Sequence, residues 1–241
     1  MNISIKGLNI NFEVYGRGEQ IVFLHGWGAN LQIWESLKPY LAALPFQMIF
    51  LDLPGFGESS VPATPFSSRD YAALLNQFFK ELEIESPILL GHSVGGKIAL
   101  AYALEYNGVK KMILIDSAGI RRRDILTQTK LLMSKAFSNS PEFIKKPLAK
   151  SFQSEDYRAA GPMKATMAII VEEDLRTKLS NIAAPTLLIW GEEDPETPIR
   201  DAAIMKRGIK NSVLKIIPQC GHFPFIEQPA LVAKLISEFI L

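Results

Sequence analysis

Short apolar runs alternate with stretches of helical period along most of the chain. Ile21-Val22-Phe23-Leu24, Met48-Ile49-Phe50-Leu51, Ile88-Leu89-Leu90, Met112-Ile113-Leu114-Ile115, Thr186-Leu187-Leu188-Ile189-Trp190 and Val213-Leu214-Lys215-Ile216-Ile217 read as strands. Most are apolar without alternation, the pattern of central parallel strands covered on both faces. Ahead of them, Ile3 to Tyr15 alternates apolar and polar positions around Gly7-Leu8, which predicts an antiparallel hairpin at one sheet edge. Tyr71, Leu74, Leu75, Phe78, Phe79 and Leu82 fall on one helical face, with Ser67 and Ser68 ahead of them as caps. Lys97 to Tyr106 is a further helical stretch, and Ala230 to Ile240 closes the chain as an amphipathic helix. The alternation predicts an α/β fold with a doubly wound, mostly parallel sheet.

One segment breaks the rhythm. From Ile120 to Ala183 there is no strand pattern, only helical patterns rich in Lys, Arg, Met and Leu, interrupted by Pro141, Pro147 and Gly161-Pro162. It reads as an inserted helical cap, residues 120–183, on a core domain of residues 1–119 and 184–241. An insertion there lies over the carboxyl edge of the sheet, where ligands bind in open α/β folds. The cluster Arg121-Arg122-Arg123 reads as a solvated helix start rather than a binding patch.

Bulk composition narrows the setting. The 241 residues suit a single α/β domain, and 48% apolar with 21% charged residues is ordinary for a globular protein. A net charge of +1 gives no electrostatic reason to expect nucleic acid or a membrane surface. The one cysteine, Cys220, has no partner for an internal disulfide, which suits a reducing compartment. Met1 to Lys6 alternates like a strand and carries no basic-then-apolar leader, and no apolar run has the length of a membrane span. The expected location is the cytoplasm.

The most informative feature is Gly91-His92-Ser93-Val94-Gly95, set between a buried strand and a helix. This is G-x-S-x-G in the strand–turn–helix context that lifts a serine hydroxyl out of the sheet on a strained turn. The flanking glycines are expected because a Cβ there would collide with the neighbouring strand or helix. A serine needs a base, and the chain has only three histidines: His25, His92 and His222. His92, adjacent to Ser93 in the turn, should splay away, and His25, after an early strand, suits the bracing of a loop. That leaves His222, on the loop after the Val213 to Ile217 strand. Two acids lie at carboxyl edges of strands and could fix its tautomer: Asp194, among several acids after Trp190, and Asp116, after Ile115. The oxyanion should meet the backbone N–H of Val94 and a second N–H, from Trp27 in the loop His25-Gly26-Trp27-Gly28-Ala29-Asn30.

Taken together these residues resemble the α/β-hydrolase fold superfamily, over nearly the whole chain outside the cap. The resemblance rests on His25-Gly26-Trp27-Gly28, on Asp52-Leu53-Pro54-Gly55-Phe56-Gly57-Glu58-Ser59, on the Ser93 turn, on Gly191 to Asp194 and on Gly221-His222. It implies Ser93 as nucleophile, Asp194 as acid, His222 as base, and Trp27 and Val94 as the oxyanion hole. The Asp52 to Ser59 segment is expected to be a structural turn without chemistry. A serine nucleophile sets the chain apart from the haloalkane dehalogenases and epoxide hydrolases, which use aspartate. The oxyanion loop lacks the Gly-Gly-Pro-Gly of proline iminopeptidases, and Phe223 stands where many carbon–carbon bond hydrolases carry tryptophan. The Ser154 to Lys178 stretch, leading into Pro185 to Gly191, is similar to small bacterial carboxylesterases.

The expected activity is therefore cleavage of carboxylic esters through an acyl-enzyme, in a pocket between cap and sheet. His25 and Phe223 are placed among its substrate-binding residues. No cofactor and no metal is expected. The expected partner is a small-molecule ester, with neither nucleic acid nor membrane, and the chain acting as monomer or homodimer. Two other readings share these residues. One is hydrolysis of a carbon–carbon bond in ring-cleavage products, helped by a cap cation such as Arg123 or Lys130. The other is a non-enzymatic ligand receptor.

Overall fold

The computed structural model describes residues 1–121 and 161–241. Eight strands form one sheet in the order β1-β2-β4-β3-β5-β6-β7-β8. They are β1 (Asn2–Ile5), β2 (Leu8–Gly16), β3 (Glu19–Leu24), β4 (Phe46–Leu51), β5 (Ile88–His92), β6 (Lys111–Ile115), β7 (Thr186–Gly191) and β8 (Ser212–Ile217). The hairpin β1–β2 joins antiparallel to β4, and every other pairing is parallel. The expected doubly wound sheet with an antiparallel edge is borne out.

The unbroken apolar runs have a direct cause. Val22 and Leu24 of β3 join one core cluster, with Leu89 of β5, Leu114 of β6 and Trp190 of β7. Ile21 and Phe23 join the other, with Ile88, Leu90, Ile113, Ile115 and Ile189. Successive side chains point to opposite faces, so both parities must be apolar where helices cover both faces. On the first face lie helices Ser68–Glu81 and Val94–Glu105, and on the second lies helix Pro229–Ile240. Ser67, not Ser68, caps the first of these: its hydroxyl accepts from Asp70 N–H while the Asp70 carboxylate accepts from Ser67 N–H.

A helix over Ile199–Gly208, between β7 and β8, was not anticipated in the sequence. It buries only Asp201, Ala202 and Met205, a face too short to give a clear helical period. The described part of the proposed cap has no strand, consisting of the helix Lys164–Glu172 flanked by short 3-10 turns. Residues 122–160 lie outside the described residues, and with them Arg122, Arg123, Lys130 and Ser154. Arg121 pairs with Glu172. Among the described residues no helix is long and apolar enough to cross a membrane.

Chain order reverses at β3: β4 lies on one side of it and β5 on the other. Leu24 is the register partner of Gly91, so the loop leaving β3 and the turn leaving β5 emerge side by side. This is the crevice at which open α/β sheets bind ligands.

Candidate active site

Ser93 sits at that crevice with φ 51° and ψ −116°, a strained conformation for a residue with a side chain. Three backbone hydrogen bonds hold it: Ser93 N–H donates to Ile115 O, and Ser93 O accepts from Lys97 and Ala118 N–H. The close packing that permits the turn depends on the glycines on either side. A Cβ on Gly95 would lie 2.1 Å from Leu24 O, and one on Gly91 would lie 2.5 Å from Gly95 O. The helix Val94–Glu105 starts immediately after Ser93 and aims its free N–H groups at it.

The loop after β3 is pinned from below by the Asp52 to Ser59 segment. Asp52 accepts hydrogen bonds from Leu31 N–H (2.7 Å), Asn11 Nδ2 (2.8 Å) and Glu58 N–H (2.9 Å), and Ser59 Oγ donates to Asp52 O (2.7 Å). The structural role expected of that segment is what these bonds describe. His25 belongs to the same brace. Its Nδ1 donates to Gly26 O at 2.7 Å and its Nε2 accepts from Leu53 N–H at 2.9 Å. It is fully buried, and burial lowers its pKa to about 4 against the opposing hydrogen bond to Gly26. Both ring nitrogens of His25, the residue expected at the substrate, are committed beneath the loop.

Beside the Ser93 turn, Asp194 and His222 come together from loops 28 residues apart, His222 Nδ1 lying 2.8 Å from Asp194 Oδ2. The acid is held by its own loop. Oδ1 accepts from Glu196 N–H (2.7 Å) and Thr197 N–H (3.0 Å), and Oδ2 accepts from Thr197 Oγ1 (2.5 Å). Burial alone would raise the Asp194 pKa, but the hydrogen bonds from His222 and Thr197 outweigh it and hold it near 2. A charged Asp194 fixes the tautomer: Nδ1 carries the proton and Nε2 presents its lone pair.

Two further groups hold His222. His92 turns away from Ser93, as expected, and its Nε2 lies 2.8 Å from His222 O. Burial and the neighbouring His222 ring lower the His92 pKa to about 3, so a neutral ring donates Nε2–H to that carbonyl. Glu227 accepts from Gly221 N–H at 3.0 Å and from Phe223 N–H at 3.3 Å, pinning the loop on both sides of His222. Neither role was read from the sequence, where Glu227 is one of several acids outside any motif.

Asp116, the other acid considered, is fully buried at the end of β6 and accepts from Gly191 N–H at 2.9 Å. It makes no hydrogen bond to His222. Oxygens of Asp116 and Asp194 and a ring nitrogen of His222 lie within 4.8 Å of one another, a set that could ligate a cation. Of that set, Asp194 Oδ2 and His222 Nδ1 are already engaged with each other at 2.8 Å.

Ser93 and His222 line one cavity of about 210 Å³, together with Trp27, Ile33, Phe223 and Glu196. Phe223, 37% exposed, is part of that lining, and Trp27 makes an edge-on contact with Phe56. Glu196 was not singled out in the sequence; its Oε2 stands 3.4 Å from His222 Nε2. The site thus combines a serine raised on a strained turn, a buried imidazole–carboxylate pair and an apolar wall.

Comparison with known proteins fits this arrangement. Residues 21–235 match the alpha/beta hydrolase family. The AB hydrolase superfamily protein YisY of Bacillus subtilis is 31% identical over 254 residues, covering 94% of this chain and 93% of its own length. The pimeloyl-acyl-carrier-protein methyl ester esterase of Legionella pneumophila is 28% identical, covering 97% of this chain and all of its own. An esterase from Exiguobacterium antarcticum superposes with a TM-score of 0.79 at 27% identity, over 99% of this chain and 98% of that one. With most of its length matched and its strand order now described, this chain belongs to the alpha/beta hydrolase family.

Proposed function

We propose that the chain is a serine hydrolase that cleaves carboxylic esters through an acyl-enzyme, with Ser93, His222 and Asp194 as its triad. The observation that carries this reading is the 2.8 Å contact between His222 Nδ1 and Asp194 Oδ2, beside a serine held on a strained turn in the same cavity. His222 Nε2 takes the proton from Ser93 Oγ as Oγ attacks the ester carbonyl. The oxyanion is met by the backbone N–H groups of Trp27 and Val94. The intermediate collapses as His222 passes its proton to the departing alcohol oxygen. Water then gives a proton to His222 as its oxygen bonds to the acyl carbon, and the second intermediate collapses by breaking the bond to Ser93 Oγ, which takes the proton back from His222 as the acid is released. Asp194 stays ionised throughout and stabilises the imidazolium, as does the Glu196 carboxylate facing Nε2.

Two of the related proteins carry the word esterase in their names, which supports the choice of reaction. The lining, with Trp27, Ile33 and Phe223, suits a small apolar acyl group. The cytoplasm and a cap formed by residues 120–183 remain part of this proposal. The test is turnover of short-chain p-nitrophenyl esters by the wild-type protein and by Ser93→Ala. Ester turnover abolished by the substitution supports the reading. Turnover of a ring-cleavage diketone acid far above any ester would instead indicate carbon–carbon bond hydrolysis, and no turnover of either would indicate a receptor.

A further inference from the structure

Asp116 is the one titratable group at this site that the proposed reaction leaves without a task. It is fully buried, and it sits at the end of β6 with φ 43°, so the backbone is strained to place it there. One oxygen accepts from Gly191 N–H. As a carboxylate, its Oδ2 is buried with no hydrogen-bond donor among the described residues. Its neighbour is a second carboxylate, Asp194, within 4.8 Å.

Two buried carboxylates this close do not both ionise; one keeps a proton. Their partners decide which. Asp194 accepts from Glu196 N–H, Thr197 N–H, Thr197 Oγ1 and His222 Nδ1. Asp116 accepts from Gly191 N–H alone. Resting on the triad reading above, we propose that Asp116 is a positioning residue held as the neutral acid, its Oδ2 carrying a proton directed at Asp194. Two facing acceptors then become donor and acceptor. Asp194 remains the single anion behind His222, with its Oδ2 held toward Nδ1.

The surroundings agree. Burial raises the Asp116 pKa to about 10; the Gly191 hydrogen bond opposes this, while the charges of Asp194 and Glu227 add to it. The imidazole of His222, which also faces this cluster, is already engaged with Asp194.

Infrared difference spectroscopy at neutral pH, in H2O and D2O, reads the protonated carboxyl with no substrate present. The expected result is an exchange-sensitive carboxylic C=O band in wild type and in Ser93→Ala that is absent in Asp116→Asn. Kinetics supply a second readout. Asp116→Ala should lower kcat about a hundredfold with little change in KM, through misplacement of the acid. Asp116→Asn, neutral and able to donate, should recover most of that loss. Absence of the band, its survival in Asp116→Asn, or unaltered kcat in a folded Asp116→Ala would each overturn the proposal. If Asp116→Ala does not fold, the loss or survival of the band in Asp116→Asn still decides. Failure of the triad reading would appear separately, as ester turnover retained in Ser93→Ala.

Discussion

Lys97 Nζ lies 2.9 Å from the main-chain carbonyl of Glu173, tying the helix that carries the nucleophile turn to the segment approaching β7. The same ammonium donates to Ile170 O, so it satisfies carbonyls left free at the end of helix Lys164–Glu172. The Glu173 carboxylate in turn accepts from Ser68 N–H at the start of helix Ser68–Glu81. Lys97→Met keeps the length of the side chain and removes the donors. It should cost about 1–3 kcal/mol and speed amide hydrogen exchange first in helix Lys164–Glu172. Unchanged exchange there would contradict the clamp.

Gly95→Ala tests the packing beneath the elbow. Its Cβ would lie 2.1 Å from Leu24 O, with β3 backbone that has no room to yield. A loss of about 3 kcal/mol or more is expected in urea unfolding, with misplacement of Ser93 in any folded fraction. A fully stable, active variant would contradict the described approach of helix and strand.

Asp194→Asn should reduce kcat about 10⁴-fold with KM little altered, since an amide facing Nδ1 favours the wrong imidazole tautomer. Steady-state ester kinetics check this. A variant with near-normal kcat would remove Asp194 from the proton relay.

The parallel strands are legible in the sequence because both of their faces are buried, leaving runs that no helix period imitates. The Ser93 elbow is legible because its glycines answer to backbone contacts that allow no other residue. Asp116 and Asp194, by contrast, look alike along the chain: each follows a buried strand. Their difference lies in the donors that the folded loops deliver, four hydrogen bonds to Asp194 and one to Asp116. The bracing partners of His25, Gly26 O and Leu53 N–H, likewise come from the folded loops and not from any pattern along the chain. Helix Ile199–Gly208 carries local signals of its own, Asp201 in its first turn and Lys206 and Arg207 in its last, whereas the Glu196 contact with His222 arises from tertiary placement alone.

Stability should peak near pH 6.5. His25 and His92 stay neutral in the fold down to about 4 and 3, while the unfolded chain protonates both near 6.5, so stability falls as pH drops below that value. Asp194, lowered to about 2, adds to the acid loss only below its unfolded 3.8. Asp116 acts oppositely. It holds its proton in the fold up to about 10 but loses it near 3.8 when unfolded, so its contribution declines as pH rises. Below 6.5 the two histidines outweigh it; above, it stands alone, with a slope of about 1.4 kcal/mol per pH unit. Near pH 8 the decline should level off, because Lys97 loses its proton there in the fold and only near 10.5 when unfolded. Urea melts from pH 5 to 8 read this directly. Asp116→Asn should flatten the alkaline side, and rising stability between pH 6.5 and 8 would contradict the assignment.

The most direct measurement of the central claim is intact-mass and peptide mapping after exposure to a fluorophosphonate. Wild type should gain a single phosphonyl adduct on Ser93, and His222→Ala should react about 10²–10⁴-fold more slowly with its fold intact. An adduct at another residue, or labelling of Ser93 at the wild-type rate without His222, would contradict the account.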